Sequence, residues 1–321
     1  MRAVIMREFG PPEVLEPGEA PEPATGDDQV VVDVELANIT FVETQVRAGR
    51  PPHPSMLPAL PAILGNGVGG VVAAIGPGVG EDTVGRRVVT SLGGSGGYAE
   101  RAVGAAQRLV EVPGGVTMRD AVALLADGRT ALSLVGLAQP RAGETVLVEA
   151  AAGGVGTLLV QLARNAGARV VAVAGGEPKL ALARELGADV TVDYRDDGWS
   201  QRVRDVVGAV DVAFDGVGGS IGAAAFGLLS AGGRFCPFGM ASGTFTAIDA
   251  EDAEARGVAV LHGAVPTPDE LLALTRNALD EAAAGRLRPL IGQEFALADA
   301  AAAHAAIEAR ATLGKTLLVV R

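Results

Sequence analysis

The sequence predicts an α/β protein in two parts, a partly closed β-barrel domain and a domain built on a doubly wound parallel sheet. Three observations carry this. The chain has 321 residues, 49% of them apolar, too many for one ordinary single-core domain and ample for two. Its first third holds short alternating apolar stretches punctuated by Gly and Pro, the pattern of a barrel. From residue 145 onward continuous apolar strands alternate with helical patterns, which calls for a parallel sheet covered on both faces.

In order, residues 2–7 alternate as a strand and Gly10-Pro11-Pro12 turns the chain. Residues 29–37 (QVVVDVELA) alternate apolar and polar, as a half-buried strand does. Strands follow at 65–76, rich in glycine, and at 86–91. The character changes near Asp120, where a helix covers 120–137. Strands are then expected at 145–150, 169–174, 190–194, 210–215, 233–238 and 258–261, with helices at 155–167, 179–186, 200–207 and 220–229 between them. A helix follows Pro268 to about Gly285, and the tail ends in a helix at 298–309 and a strand at 316–320. That last strand is expected to return to the first domain. The domains are therefore 1–121 with 265–321, and 122–264.

Composition excludes several functions. A net charge of −12 argues against a nucleic-acid surface, which needs a basic patch, and against an anionic membrane. Cys236 is the one cysteine, so an internal disulfide or a thiolate zinc site is not available. It reads as a small apolar strand residue rather than a reactive thiol. His53, His262 and His304 are not spaced as metal ligands. The first ten residues lack the apolar stretch of a signal peptide, and no uninterrupted apolar run reaches transmembrane length. A cytoplasmic protein without a bound metal is expected.

The strand TVLVEA is followed by Ala151-Ala152-Gly153-Gly154-Val155-Gly156 and an apolar helix. This is the dinucleotide fingerprint with alanine at its first position, set between strand and helix as the motif requires. Gly153 lets the backbone approach a pyrophosphate, Gly156 lets helix and strand pack closely, and the helix N-terminus faces the anion. An NAD site places Asp or Glu at the end of the second strand, and here that strand ends in Ala174-Gly175-Gly176. Glu177 lies where an acid is expected for NAD, but it precedes Pro178 and reads as the first helical residue. The small residues leave room for a 2′-phosphate, with Lys179 and Tyr194 to bind it. The residues favour NADP over NAD. Of 26 basic residues two are lysines, Lys179 and Lys315.

The loop AAAGGVG at 150–156, the G-x-x-x-K run at 175–179, DYR at 193–195 and FG-x-x-SG at 238–243 resemble the zeta-crystallin-like quinone oxidoreductases. These are zinc-free members of the medium-chain dehydrogenase/reductase superfamily. MRAV at the start, TFVETQVRAG at 40–49, PAILGNGVGGVVAAIGPGV at 61–79 and RATLGKTLLV at 310–319 extend the resemblance over nearly the whole chain. It implies a GroES-like barrel, a Rossmann domain, NADPH in a cleft between them, and a homodimer through the Rossmann sheets. By position it implies cofactor contacts from Ala152, Gly153, Gly154 and Val155 at the pyrophosphate. It implies Gly175, Gly176, Lys179, Tyr194 and Arg310 at the 2′-phosphate, and Gly216, Val217, Phe238, Gly239 and Met240 toward the nicotinamide. Lys315 joins this set.

The sequence departs from its relatives in two places. GNG at 65–67 stands where zinc enzymes carry GHE or G-x-E, and Thr40 and Gln45 stand where bacterial quinone reductases carry Asn and Tyr. The expected reaction is hydride transfer from NADPH to a quinone or small α,β-unsaturated carbonyl. Such acceptors delocalise the incoming charge, and one or two donors at the oxyanion suffice. Thr40, Gln45 and Thr130 are the candidates; each has an ordinary alternative as a cap or a buried hydroxyl. Two other readings are an enoyl-thioester or double-bond reductase and a non-enzymatic NADPH-binding protein. For the former, Arg47, Arg50, Arg86 and Arg87 would line a thioester path, though as surface residues they read as solvated.

Overall fold

The computed structural model describes residues 1–263 and 266–321, so the expected domain boundary at 264/265 lies outside the described residues. The chain divides into two compact units, Met1–Arg129 with Pro268–Arg321, and Thr130–Thr267.

In the first unit, β1 (Arg2–Met6) and β2 (Leu15–Glu19) pair antiparallel. The central strand is β3 (Gln29–Ile39), whose Val30, Val31, Val32 and Val34 are all buried, with Val30 and Val32 in one cluster and Val34 in another. It leads into α1 (Phe41–Arg47), a short helix that alternation alone does not announce. β4 (Gly67–Ile75), β5 (Arg87–Ser91), β6 (Arg101–Ala105) and β7 (Val110–Glu111) follow. Helix α2 (Met118–Ala138) begins here and carries the first division of the chain within it, at Arg129. Its first turns press Met118 and Val122 against Gly69 of β4, which leaves no room for a Cβ there. α2 is also the one described helix long and apolar enough to cross a membrane by length and composition. Half of that stretch is buried, and it holds Asp127 inside the unit.

The second unit is a six-stranded parallel sheet. Its elements are β8 (Thr145–Glu149), α3 (Gly154–Asn165), β9 (Arg169–Ala174), α4 (Glu177–Glu185), β10 (Val190–Asp193) and α5 (Trp199–Val207). β11 (Val210–Asp215), α6 (Gly219–Gly227), β12 (Leu229–Pro237), α7 (Ala250–Ala255) and β13 (Ala259–Val260) complete it. The spatial order is β10-β9-β8-β11-β12-β13, with every neighbouring pair parallel. This is the dinucleotide-fold order, and the strand order reverses between β8 and β11. The core is the expected one: β9 and β11 are buried almost end to end, and Trp199, Val203, Phe226 and Phe235 cover one face.

The chain then returns to the first unit through α8 (Pro268–Ala283), β14 (Ile291–Ala296), α9 (Ala300–Glu308) and β15 (Lys315–Val319). β15 pairs antiparallel with β3 and parallel with β14, giving a sheet of order β14-β15-β3-β4-β5-β7 with β6 also on β3. α9 docks near α1, where the Arg47 guanidinium, expected in solvent, is buried. It forms an ion pair with Glu308 and donates to the Gly10 carbonyl at 2.8 Å. Arg86, by contrast, is solvated and pairs with Asp82 on the surface.

Candidate functional site

The site is built at the carboxyl ends of β8, β9, β11 and β12. After β8 the chain turns through Ala150, which adopts a left-handed conformation at φ 47°. Ala151 and Ala152 are buried, and Gly153 opens α3 as its N-cap without any side-chain cap. The first N–H groups of α3 therefore face outward as anion donors. A Cβ on Gly153 would approach only the Ala150 carbonyl, at 3.3 Å, so its other side is open to a ligand. A Cβ on Gly156 would lie 2.2 Å from the same oxygen, so α3 packs on β8 at a distance only glycine permits.

At the end of β9, Gly175 and Gly176 form a bare pad, with Gly176 at φ 98°. Tyr194 and Arg195 lie over it. The Tyr194 hydroxyl is 3.5 Å and Arg195 Cδ 3.2 Å from where a Gly175 Cβ would sit, and Arg195 Nη2 is 3.0 Å from a Gly176 Cβ. Asp193 ends β10, accepts from the Gly176 N–H at 2.9 Å and pairs with Arg195 at 2.6 Å. The Arg195 hydrogen bonds, against a smaller desolvation effect, bring its carboxyl down to about 2. Glu177 does start α4, as its position before Pro178 implied, and it pairs with Arg184 on the surface. Lys179 is the third residue of α4. The pad thus offers a hydroxyl and a guanidinium where an NAD site would offer a carboxylate.

At the ends of β11 and β12 two backbone turns are locked together. Phe238 and Gly239 both donate to the Asp215 carbonyl, at 2.9 and 3.1 Å, and Ser242 donates to Val217 at 2.8 Å. A Cβ on Gly239 would strike the Gly216 carbonyl at 2.4 Å, and one on Gly216 would strike the Phe238 ring at 2.8 Å. The Asp215 side chain holds the same turn. Its Oδ1 accepts from Val217 and Gly218 N–H at 3.0 and 2.6 Å, and its Oδ2 from the Thr246 hydroxyl at 2.5 Å. Glu149, at the end of β8, adds a contact to the Val217 N–H at 3.2 Å while its Oε1 has no hydrogen-bond partner. Burial first, and the Asp215 charge second, push the Glu149 carboxyl well above its ordinary range. Cys236 is buried in β12, and burial raises its thiol to about 12, so it is inert.

The structure therefore brings together Ala152, Gly153, Gly154, Val155, Gly175, Gly176, Tyr194, Gly216, Val217, Phe238, Gly239 and Met240 along one edge of one sheet. Arg195 belongs with them and was missed, although the DYR run that signals it was in view. Arg310 lies in the first unit, in a left-handed conformation at φ 54° after α9.

Lys315 requires a correction. It is buried in the first unit, its Nζ 2.9 Å from Asp127 Oδ1, and so is committed to a structural ion pair rather than to a phosphate. Thr40 likewise proves to be the N-cap of α1. Its hydroxyl donates to Glu43 Oε2 at 3.1 Å and accepts from the Glu43 N–H at 3.4 Å, and its own N–H donates to Oε2 at 2.6 Å. This reciprocal capping box takes up the hydroxyl expected at an oxyanion. Gln45 Nε2 donates to Thr44 at 3.1 Å. Thr130 is half-buried on α2. Among the described residues no group of three or more His, Cys, Asp or Glu is arranged to hold a metal ion.

Residues 26–114 match the family described as alcohol dehydrogenase GroES-like domain, and 154–279 the one described as zinc-binding dehydrogenase. A quinone oxidoreductase of Pseudomonas aeruginosa is 33% identical over 97% of each chain. The chain belongs to the quinone oxidoreductase family. A 2-haloacrylate reductase from a Burkholderia species is 32% identical over 99% of this chain and 98% of the relative. Among solved structures, a mycobacterial protein complexed with NADPH superposes with a TM-score of 0.90 at 34% identity, each chain covered in full. This quinone oxidoreductase relative thus shares fold and length with enzymes throughout both units.

Proposed function

We propose that the protein is an NADPH-dependent oxidoreductase that reduces a quinone or a small α,β-unsaturated carbonyl without a metal. The observation that carries the reading is the Gly175-Gly176 pad under Tyr194 and Arg195, beside an uncapped helix opened by Gly153. Together they fit a pyrophosphate and a phosphorylated ribose, and the mycobacterial neighbour was solved with NADPH. When bound, the cofactor supplies a hydride from its nicotinamide.

The chain's own residues do the rest. Gly153, Gly154 and Val155 present backbone donors to the pyrophosphate, and Lys179, Tyr194 and Arg195 hold the 2′-phosphate. The interlocked turns at Gly216–Val217 and Phe238–Met240 fix the nicotinamide end, since neither turn can move without displacing the other. Thr130 supplies a hydrogen bond to the oxygen that gains charge, and in the first unit Thr40 caps α1, the helix that carries Gln45. A homodimer would form through the β13 edge of the second unit.

A second reading, reduction of a conjugated carbon–carbon bond, is favoured by the 2-haloacrylate reductase relative. One assay separates the readings. The purified protein is expected to oxidise NADPH with a simple quinone, and faster than with a crotonyl thioester. Oxidation with the thioester alone would replace the first reading by the second, and no oxidation with any acceptor would contradict both.

A further inference from the structure

We propose that a cavity in the first unit is a carboxylate-binding pocket built on Arg129, and that it directs the reductase toward small unsaturated acids carried as anions. The cavity has a volume of about 180 Å³ and lies between α2, α8 and the ends of the barrel strands. Its lining includes the apolar side chains of Leu125, Leu271, Leu272 and Pro268. It also includes the polar groups of Arg129, Arg108, Ser91 and Asn66.

The charge balance of this pocket is unusual for the protein. Arg47, Arg234 and Arg256 are also buried or half-buried, and each is paired with a carboxylate, Glu308, Glu144 and Asp252 respectively. Arg129 is half-buried too, yet it bonds a neutral group, Nη1 donating to Ser91 Oγ at 3.1 Å. Among the described residues no carboxylate lies within ion-pair distance of Arg129 or Arg108. The acid nearest in sequence, Asp127, is committed to Lys315. Burial works against the Arg129 charge, and only the more distant Asp127 field supports it. A guanidinium does not escape by losing its proton. It retains donors, and a partly desolvated cation without a counterion is costly. An anion seated beside it would remove that cost and gain a planar, forked hydrogen bond.

The walls choose among anions. An inorganic phosphate would leave Leu125, Leu271 and Leu272 against a charged, hydrated surface. A carboxylate with a short hydrocarbon chain suits both the apolar and the polar lining. A volume of about 180 Å³ admits an acid of three or four carbons. Asn66 commits its Oδ1 to the Gly94 N–H at 2.8 Å, which keeps its Nδ2 as a second donor. Arg108 stands exposed at the rim, where a cation raises the local concentration of anions.

The assignment of the ligand as substrate rests on the reductase reading; the pocket itself does not. Two measurements keep them apart. In the first, calorimetry follows binding of butanoate, which cannot be reduced, and of butanamide, its neutral counterpart. The intact protein is expected to prefer butanoate, and Arg129→Met to weaken it by about 10- to 100-fold, the range for loss of a charged hydrogen bond, with little change for butanamide. Arg129→Lys, which keeps the charge and the fold but loses the fork, is expected to recover part of the affinity. In the second, kcat/KM is measured with NADPH for crotonate and crotonamide, and Arg129→Met is expected to abolish the preference for the acid. Equal binding of butanoate and butanamide by the intact protein, or full butanoate affinity in both Arg129 variants, overturns the proposal. Binding that depends on Arg129 without any reduction of crotonate or of quinones would keep the pocket and overturn the reductase reading.

Discussion

Lys315→Met is expected to destabilise the protein by about 3–5 kcal/mol. The Lys315 and Asp127 side chains are only 4% and 12% exposed, and they meet at 2.9 Å between β15 and α2. Removing the ammonium leaves Asp127 as a buried charge without its counterion, and that desolvation, more than the lost attraction, sets the cost. The second variant shows which. Lys315→Met with Asp127→Leu removes both charges and is expected to recover most of the loss, because a buried ion pair contributes little over an apolar replacement of similar volume. Urea unfolding of the two single variants and the double variant completes the cycle. A loss under about 1 kcal/mol for Lys315→Met, together with weaker NADPH binding, would return Lys315 to the cofactor.

Glu149→Gln is expected to change how stability depends on pH. Burial and the Asp215 charge raise the Glu149 carboxyl well above its ordinary 4.5. From pH 4.5 up to its folded-state pKa the native chain holds a proton that the unfolded chain has released. Stability then falls as pH rises, by about 1.4 kcal/mol per unit for this one group. His304 works in the opposite sense. It is buried against Tyr98, its Nε2 3.0 Å from the phenol, and burial lowers it from 6.5 to about 3. Between those two values the unfolded chain holds the extra proton, so stability rises with pH. The two slopes oppose from pH 4.5 upward, until either the folded-state pKa of Glu149 or the unfolded His304 value of 6.5 is passed. Gln at 149 keeps the acceptor for the Val217 N–H and cannot ionise. The difference between Glu149→Gln and the parent should grow in the variant's favour from pH 4.5 up to the folded-state pKa of Glu149 and level off above it. Parallel stability curves for the two proteins between pH 5 and 8 would show that Glu149 is ionised in the fold.

The parts of the site that a sequence can reveal are those set by local backbone demands. Gly153 and Gly156 follow a strand and open a helix, and both requirements are met within a few residues, so the loop was legible. The strand end at Gly175-Gly176 was legible for the same reason, as was Glu177 as the start of α4. Arg195 was not. β10 ends at Asp193, so alternation no longer tells which side the next residues take, and the guanidinium folds back over Gly176 only because Asp193 holds it. Lys315 was misplaced because its partner is 188 residues away in sequence. Thr40 and Glu43 spell a capping box, T-x-x-E, yet the short helix they start has no run of apolar periodicity to draw attention to it. Glu149 and Asp215 end two strands that are 66 residues apart along the chain, as the Thr145–Asp211 hydrogen bond across them shows. Only the sheet order, β8 beside β11, makes their carboxyls neighbours.

The central claim is that this sheet edge holds NADPH and distinguishes it by its 2′-phosphate. The most direct test is the dissociation constants of NADPH and NADH for the intact protein and for Lys179→Ala and Arg195→Ala. Tighter binding of NADPH is expected in the intact protein. Each substitution should cost NADPH about 1.5–3 kcal/mol, the range for a hydrogen bond to a charged group, and leave NADH nearly unchanged. NADH bound as tightly as NADPH, or equal losses for the two nucleotides in both variants, would contradict the assignment.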